Sequence, residues 1–347
     1  MPVFRRRRSA IDLGHRHVQG ADNGPCSKRP FSFSWTFSPD NHVQVDSSNK
    51  GSQGLSRRQH TIQRPAEVTG FGYWSGQDVT VEFRPAASNT GIVFVREDLA
   101  NFHRIPVDVF NRVEVPRRTN LSRYGVSVEM VEHVVASLAG LQIDNCEIWT
   151  SASELPGCDG SSQPFVEALL ESGIVQQQAW CEPMVLSETI RVGNADSWVQ
   201  SEPLGSDDEP GSLILHYELD YGQGTAIGSQ SFELVLHPEN FLRELAPART
   251  FILQAEAEWL QNQGLGTRVT CHDLLVFSAE GPVDNELRFP DECVRHKTLD
   301  LLGDLALAGC QLSGRVTASR SGHRLNAELV RTLARGQPGQ QQAKRVA

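Results

Sequence analysis

The stretch VRHKTLDLLGD, residues Val294–Asp304, places one histidine and two acidic residues at four-residue intervals in a leucine-rich segment. Its leucines have the spacing of a packed α-helix, in which residues four apart lie on one face. His296, Asp300 and Asp304 should therefore project from nearly the same side of that helix. Burying a carboxylate costs free energy unless it is paired or bound to a metal. The stripe therefore predicts a functional site on a packed helix.

His296 and Asp300 have the spacing by which one helix supplies two ligands to zinc. The same spacing also fits a partly exposed ion pair on a helix surface. A third ligand has to come from elsewhere, and His133 in VEMVEHVVASLAG (Val128–Gly140) is the best candidate because Glu132 precedes it. A glutamate beside a ligating histidine can act as a general base. The inert alternative is a hydrogen-bonded core histidine beside a solvated glutamate.

Composition excludes several classes of protein. The net charge of −10 opposes a nucleic-acid-binding role, which requires a basic surface. The sequence contains no run approaching the ~18 apolar residues of a membrane-spanning helix. The seven cysteines are scattered and contain no CxxC pair. Their pattern predicts reduced thiols in a cytoplasmic protein.

Both ends of the chain differ from its middle. Residues 1–59 contain ten basic and four acidic residues, with little hydrophobic periodicity and no secretory signal pattern. We expect 1–58 to be a disordered basic tail, or to lie upstream of the true start; an arm that touches an anionic surface is the alternative. The Gly/Gln-rich end, 337–347, is expected to be frayed.

The middle of the chain predicts an α+β fold. Val79–Pro85 and Gly91–Glu97 alternate like half-buried strands. The pattern divides into an N-terminal domain over 59–178 and a C-terminal domain over 179–336. Each half contains a histidine-bearing helix that ends in Ala-Gly and precedes a strand. We therefore predict two domains, each a β-sheet packed against helices, that face one another across an active-site cleft.

Five blocks of sequence together carry a family resemblance. In chain order they are VEMVEHVVASLAGLQIDN (128–145), ELPGCDGSSQPFVEALLESGI (154–174), ARTF (248–251), ELRFPDECVRHKTLDLLGDL (286–305) and SGHRLN (321–326). In order and spacing they resemble the zinc-dependent UDP-3-O-acyl-N-acetylglucosamine deacetylases, from about residue 59 to 333. These enzymes catalyse the committed step of lipid A synthesis in Gram-negative bacteria.

The resemblance implies a metal centre and a base. His133, His296 and Asp300 would bind Zn²⁺, although similar ligand sets also accept Fe²⁺. Glu132 would be the general base that takes a proton from the attacking water. A zinc site with three protein ligands keeps an open position, as catalytic sites do.

The resemblance also implies the groups around the reacting amide. His323 would protonate the leaving amine, Asp304 would orient His323, and Thr250 would donate a hydrogen bond to the oxyanion. Lys297 would hold the substrate near its sugar and phosphates, and Phe251 would pack on the nucleotide.

Three departures from the family pattern concern the substrate. Arg320 stands where the family usually has a lysine that contacts the diphosphate, so it either binds phosphate or is a plain surface arginine. The early block TGFGYWSG has Trp74 in place of the usual histidine. A β-α-β insert over about 252–278, which forms the acyl-chain passage in the family, has an altered sequence.

The leading hypothesis is hydrolysis of the N-acetyl group of UDP-3-O-acyl-N-acetylglucosamine. A zinc amidohydrolase of the same fold that acts on another N-acyl sugar is the runner-up, and a non-catalytic scaffold or binding protein is the alternative from a different class. The expected partner is the acylated UDP-amino-sugar, with no nucleic acid and no obligate protein partner. An apolar acyl chain is also compatible with transient contact with the inner membrane face.

Overall fold

The computed structural model describes residues 56–336. The predictions of a disordered tail and a frayed end concern 1–58 and 337–347, and all but 56–58 of these residues lie outside the described part of the chain. Residues 57 and 58 already belong to the first strand.

The strands and helices occur in two groups along the chain. The first group is β1 (Arg57–Ile62), β2 (Ala66–Phe71), β3 (Asp78–Pro85), β4 (Ile92–Arg96), β5 (His103–Pro106), β6 (Arg112–Val113), β7 (Asn120–Arg123), β8 (Val126–Glu129), α1 (Glu132–Gly140), β9 (Cys146–Thr150), α2 (Gln163–Ser172) and β10 (Ile174–Cys181). The second is β11 (Met184–Val185), β12 (Ile190–Gly193), β13 (Trp198–Glu202), β14 (Leu213–Asp220), β15 (Ser229–Val235), α3 (Pro238–Asn240), β16 (Phe251–Leu253), α4 (Gln254–Asn262), β17 (Leu275–Phe277), α5 (Glu292–Leu305), β18 (Leu312–Ser319) and α6 (His323–Gly336).

Each group contains one main sheet with a parallel pair at its centre. The first sheet has the order β2-β3-β9-β4-β5, and the second has the order β12-β13-β18-β14-β15, with β11 beside β18. Strands β4 and β9 are parallel, with Phe94 opposite Ile148, and β14 and β18 are parallel, with Leu215 opposite Val316. All four of these side chains are fully buried.

In both halves, a helix directly precedes the later strand of the parallel pair in chain order. Helix α1 precedes β9, and α5, after a 3-10 turn, precedes β18. Helix α5 packs against β14 and β15 of the second sheet, whereas α1 packs mainly against α5 and α2. The prediction of an α+β fold is thus confirmed, whereas the division into two domains stays a prediction. One continuous hydrophobic core draws buried side chains from both groups.

The insert is a small parallel β-α-β unit. Strands β16 and β17 pair in parallel, and α4 lies between them in the chain with no fully buried side chain. Before the insert, the short helix α3 continues as a π-helical turn over Phe241–Leu245. After that turn, Pro247 is followed by backbone pairing, because the Thr250 N–H bonds the Gly160 carbonyl. No helix in the described residues is long and apolar enough to cross a membrane.

Candidate active site

One cavity of about 780 Å³ collects most of the predicted site residues. Its walls come from the start of α1, the middle of α5, the start of α6 and the insert. Eight of the predicted residues contribute to its lining: Glu132, His133, Thr250, Phe251, His296, Lys297, Asp300 and His323. Asp304 is fully buried behind His323, and Arg320 is outside the lining.

Two helices cross at very short range beside this cavity. A Cβ atom built on Gly303 of α5 would lie 2.3 Å from the carbonyl oxygen of Glu132 in α1. The absence of a side chain at Gly303 therefore allows α5 to approach the first turn of α1. As a result the rings of His133 and His296 meet with their centroids 5.0 Å apart.

Replacing Gly303 with alanine should therefore separate α1 from α5. The new methyl group overlaps backbone, which cannot move aside like a flexible side chain, so we expect a loss of about 1–3 kcal/mol in the free energy of unfolding. Chemical denaturation measures this loss. Gly224→Ala is the control, because a Cβ atom at Gly224 would meet no atom within 4 Å. The nearby Gly222 is unsuitable, because its backbone φ of +79° would strain an alanine. Equal stability of the Gly303→Ala and Gly224→Ala proteins would contradict the crossing geometry.

The three predicted ligands form a buried cluster. Ligand atoms of His133, His296 and Asp300 all lie within 4.8 Å of one another. Asp300 Oδ1 is 3.5 Å from His133 Nε2 and 3.4 Å from His296 Nε2. A tetrahedral shell with bonds of about 2.0–2.1 Å separates its ligand atoms by roughly 3.3 Å. The separations measured to Asp300 therefore fit a zinc-sized cation.

The protonation states of the clustered side chains also favour a bound cation. His296 Nδ1 donates to the Ala248 carbonyl at 3.1 Å, and burial lowers the pKa of His296 to about 3. The neutral ring carries one proton, which Nδ1 holds, so Nε2 presents a lone pair. Asp300 Oδ1 presents another, because the charge of Lys297 outweighs burial and holds the pKa of Asp300 well below its usual value. Two facing lone pairs are stabilised by a bound cation.

Lys297 lies on the same helix, directly after His296 and three residues before Asp300. Its Nζ donates to Asp300 Oδ2 at 2.6 Å. Burial by itself would lower the pKa of Lys297, but the charge of Asp300 outweighs it and raises that pKa. The ammonium group therefore stays charged at the edge of the cavity, where its first partner is the predicted ligand Asp300. Its predicted contact with the substrate stays a prediction.

His323 and Asp304, to which the resemblance gives the role of an acid pair, form a buried hydrogen bond. His323 Nδ1 is 2.9 Å from Asp304 Oδ2, and Asn326 Nδ2 donates to the same oxygen at 2.9 Å. Burial lowers the pKa of His323, but the charge and hydrogen bond of Asp304 outweigh burial and raise it to about 9. The imidazole is therefore protonated at neutral pH, and its Nε2 lies 4.0 Å from Asp300 Oδ2. This arrangement suits a general acid.

Glu132 begins helix α1 and is 4% exposed. Burial raises the pKa of its carboxyl group, although the nearby His323 and His133 act in the opposite direction. Its Oε2 accepts a hydrogen bond from the backbone N–H of Thr119 at 3.0 Å. The carboxyl group is thus oriented by backbone, and its raised pKa makes it a better proton acceptor in turnover.

The remaining predicted residues occupy different surroundings. Thr250 and Phe251 lie where the chain enters the insert, with the Phe251 ring 6.2 Å from that of His296. The half-exposed Arg320 has Nη1 3.6 Å from Asp220 Oδ2, on the side of the second sheet. Trp74, which departs from the family pattern, packs its ring 4.5 Å from the Arg118 guanidinium, and both line the cavity.

Sequence reasoning missed two residues that hold the acidic groups. Thr119 contacts both Glu132 and Asp304, and Asn326 contacts Asp304. Asn326 has a local signal, because it lies three residues after His323 on the same face of α6. Thr119 has none, because it is distant in sequence from Asp304 and is in the connection before β7.

Comparisons with known proteins point to one family. The model of the LpxC family, described as UDP-3-O-acyl N-acetylglycosamine deacetylase, matches residues 59–335. A UDP-3-O-acyl-N-acetylglucosamine deacetylase of Psychrobacter arcticus is 37% identical over 294 residues, which are 84% of this chain and 90% of that protein. The corresponding deacetylase of Haemophilus influenzae is 36% identical over 289 residues, 81% of this chain and 91% of its own length.

A further relative is a longer protein. The "Bifunctional enzyme LpxC/FabZ" of Chlorobaculum tepidum is 38% identical over 302 residues, which are 79% of this chain but only 64% of that protein. The family match includes every predicted metal and catalytic residue, from Glu132 to His323. The chain belongs to the LpxC family of UDP-3-O-acyl N-acetylglycosamine deacetylases.

Proposed function

We propose that this protein hydrolyses the N-acetyl group of UDP-3-O-acyl-N-acetylglucosamine, the committed step of lipid A biosynthesis, and releases acetate. One observation carries the proposal: the His133–His296–Asp300 cluster shares a cavity with a buried glutamate and a protonated histidine. Amide hydrolysis needs these three parts, because water must be activated, the carbonyl polarised and the amine protonated. Family membership and the names of the relatives support the substrate.

The metal is proposed to be Zn²⁺, held by His133, His296 and Asp300. Two imidazoles and one carboxylate form a ligand set that zinc accepts in catalytic sites, and Fe²⁺ accepts similar ligands. When bound, the ion supplies Lewis-acid polarisation of the carbonyl and lowers the pKa of water.

The chain's own residues supply the proton transfers. Glu132 takes a proton from the attacking water while the water oxygen bonds to the carbonyl carbon of the acetyl group. The Thr250 hydroxyl, which lines the cavity, donates to the oxyanion that develops. His323 gives its proton to the amine nitrogen as the C–N bond breaks, and Asp304 keeps the imidazole oriented. Acetate and a free amine leave.

The rest of the cavity supports an acylated nucleotide sugar. Apolar side chains from the insert line one wall, among them Ile252, Leu260, Leu265 and Val276. Lys297 and Arg324 add positive charge near the acid pair. We propose that the apolar wall takes the acyl chain and that the cations face the diphosphate, with Phe251 against the nucleotide. A substrate with an acyl tail fits a cytoplasmic enzyme that touches the inner membrane face transiently.

Removal of metal tests the proposal directly. Acetate release from UDP-3-O-acyl-N-acetylglucosamine should fall to background after chelation and return with about one Zn²⁺ per chain, because the described residues contain one such ligand cluster and three protein ligands leave a zinc position open for water. Metal analysis beside the assay measures both quantities. Zinc binding without acetate release would indicate another N-acyl sugar as substrate. Absence of both would favour a non-catalytic binding protein and overturn the proposal.

A further inference from the structure

Thr119 joins the two acidic groups that serve opposite proton transfers. It is fully buried just before β7. Its backbone N–H donates to Glu132 Oε2 at 3.0 Å, and its hydroxyl donates to Asp304 Oδ1 at 2.5 Å. Its carbonyl accepts from the N–H of Val131, the residue before α1. All three polar groups of this residue are thus committed to the surroundings of the base and the acid.

The hydroxyl completes the hydrogen bonding of Asp304. Oδ2 of Asp304 accepts from His323 Nδ1 and from Asn326 Nδ2, both at 2.9 Å. Oδ1 accepts from Thr119. With donors on both oxygens the carboxylate plane is fixed, and so is the ring of His323 that hydrogen-bonds to it. Without the hydroxyl, Oδ1 would be a buried carboxylate oxygen that has lost a charge-assisted hydrogen bond.

We propose that Thr119 is a positioning residue that sets the Asp304–His323 acid relative to the Glu132 base. The inference rests on the proposed function, because it assigns Thr119 a part in that reaction. Thr119 is not among the residues that line the cavity, and its described hydrogen bonds include no predicted metal ligand, so it acts through Asp304 and Glu132. It reaches a carboxylate on α1 and one on α5, which belong to the two different halves of the chain. The backbone N–H of Thr119 holds the base Glu132, and its side chain holds Asp304. The acid is therefore kept at a fixed place relative to the base.

Replacement of Thr119 by valine separates these two contacts. Valine matches the shape of threonine and keeps the backbone N–H for Glu132, but it has no hydroxyl for Asp304. We expect kcat for acetate release to fall by about 10–100-fold, a loss comparable to that of removing an outer group that orients a metal ligand. We expect KM and metal content to stay within about twofold, because no binding group is lost. Thr119→Ser keeps the hydroxyl and should retain kcat within about threefold.

Thr150→Val is the matched control, because Thr150 is equally buried and its hydroxyl bonds the Ala152 carbonyl outside the cavity lining. It should leave kcat unchanged. If Thr119→Ser lost as much activity as Thr119→Val, or if Thr119→Val raised KM or lost metal at unchanged kcat, the inference would be overturned.

A double-mutant cycle with Asp304→Asn distinguishes positioning from a general effect on the fold. If the hydroxyl acts through Asp304, adding Thr119→Val to Asp304→Asn should change kcat by less than about twofold. A second loss as large as the first would overturn the inference. Acetate release by the unmodified protein tests the proposed function separately: if the unmodified protein turns over and the cycle is additive, only the inference about Thr119 fails.

Discussion

Replacing Glu132 with glutamine is expected to lower kcat for acetate release by about 10²–10⁴-fold, the range for removal of a general base. Glutamine has nearly the same size, and its amide oxygen can still accept the Thr119 N–H. It cannot take a proton from water. Because Glu132 is not among the clustered ligands, the protein should still bind one equivalent of zinc. Single-turnover assays beside metal analysis measure the two effects.

The control for this change is Glu167→Gln, which alters an exposed glutamate on α2 with the same chemistry. Its kcat should equal that of the unmodified protein. Loss of zinc from the Glu132→Gln protein would show that Glu132 supports the metal centre instead of acting as the base. Unchanged turnover would exclude Glu132 as the base altogether.

The helix and its buried stripe could be predicted because their signal is local. His296, Asp300 and Asp304 recur every four residues among leucines, and all three prove to be buried on α5. His133 lies on another helix, and no spacing connects it with His296. Its placement beside the His296 ring depends on Gly303, which lets α1 and α5 approach closely. A glycine within a helix does not by itself predict that another helix packs there.

Other parts of the site could not be predicted because backbone groups make the contacts. The Ala248 carbonyl fixes the proton of His296, and the Thr119 N–H orients Glu132. Every residue carries these groups, so the sequence gives no sign of which ones are used. The entry of the chain into the insert has the same cause, since the Thr250 N–H pairs with the Gly160 carbonyl.

Replacing His296 with alanine is expected to lower zinc affinity by more than about 100-fold, since even groups that only orient a metal ligand contribute 10–100-fold. Two ligands from different helices would remain, His133 on α1 and Asp300 on α5. We expect kcat/KM to fall by more than about 10³-fold, because water without the ion keeps a pKa near 15.7 instead of about 7. Equilibrium dialysis and acetate release measure the two losses.

Thermal unfolding with and without zinc gives a readout of the same change that is independent of turnover. A ligand that binds only the folded state raises Tm, so zinc should raise the Tm of the unmodified protein and leave that of the His296→Ala protein nearly constant. His237→Ala is the matched control, because its partly exposed side chain pairs only with Glu209 among the ion pairs described for it. That variant should respond to zinc like the unmodified protein. If zinc raised the Tm of the His296→Ala protein as much as that of the unmodified protein, the stabilising ion would bind elsewhere. The spacing of His296 and Asp300 on α5 would then be that of an ion pair.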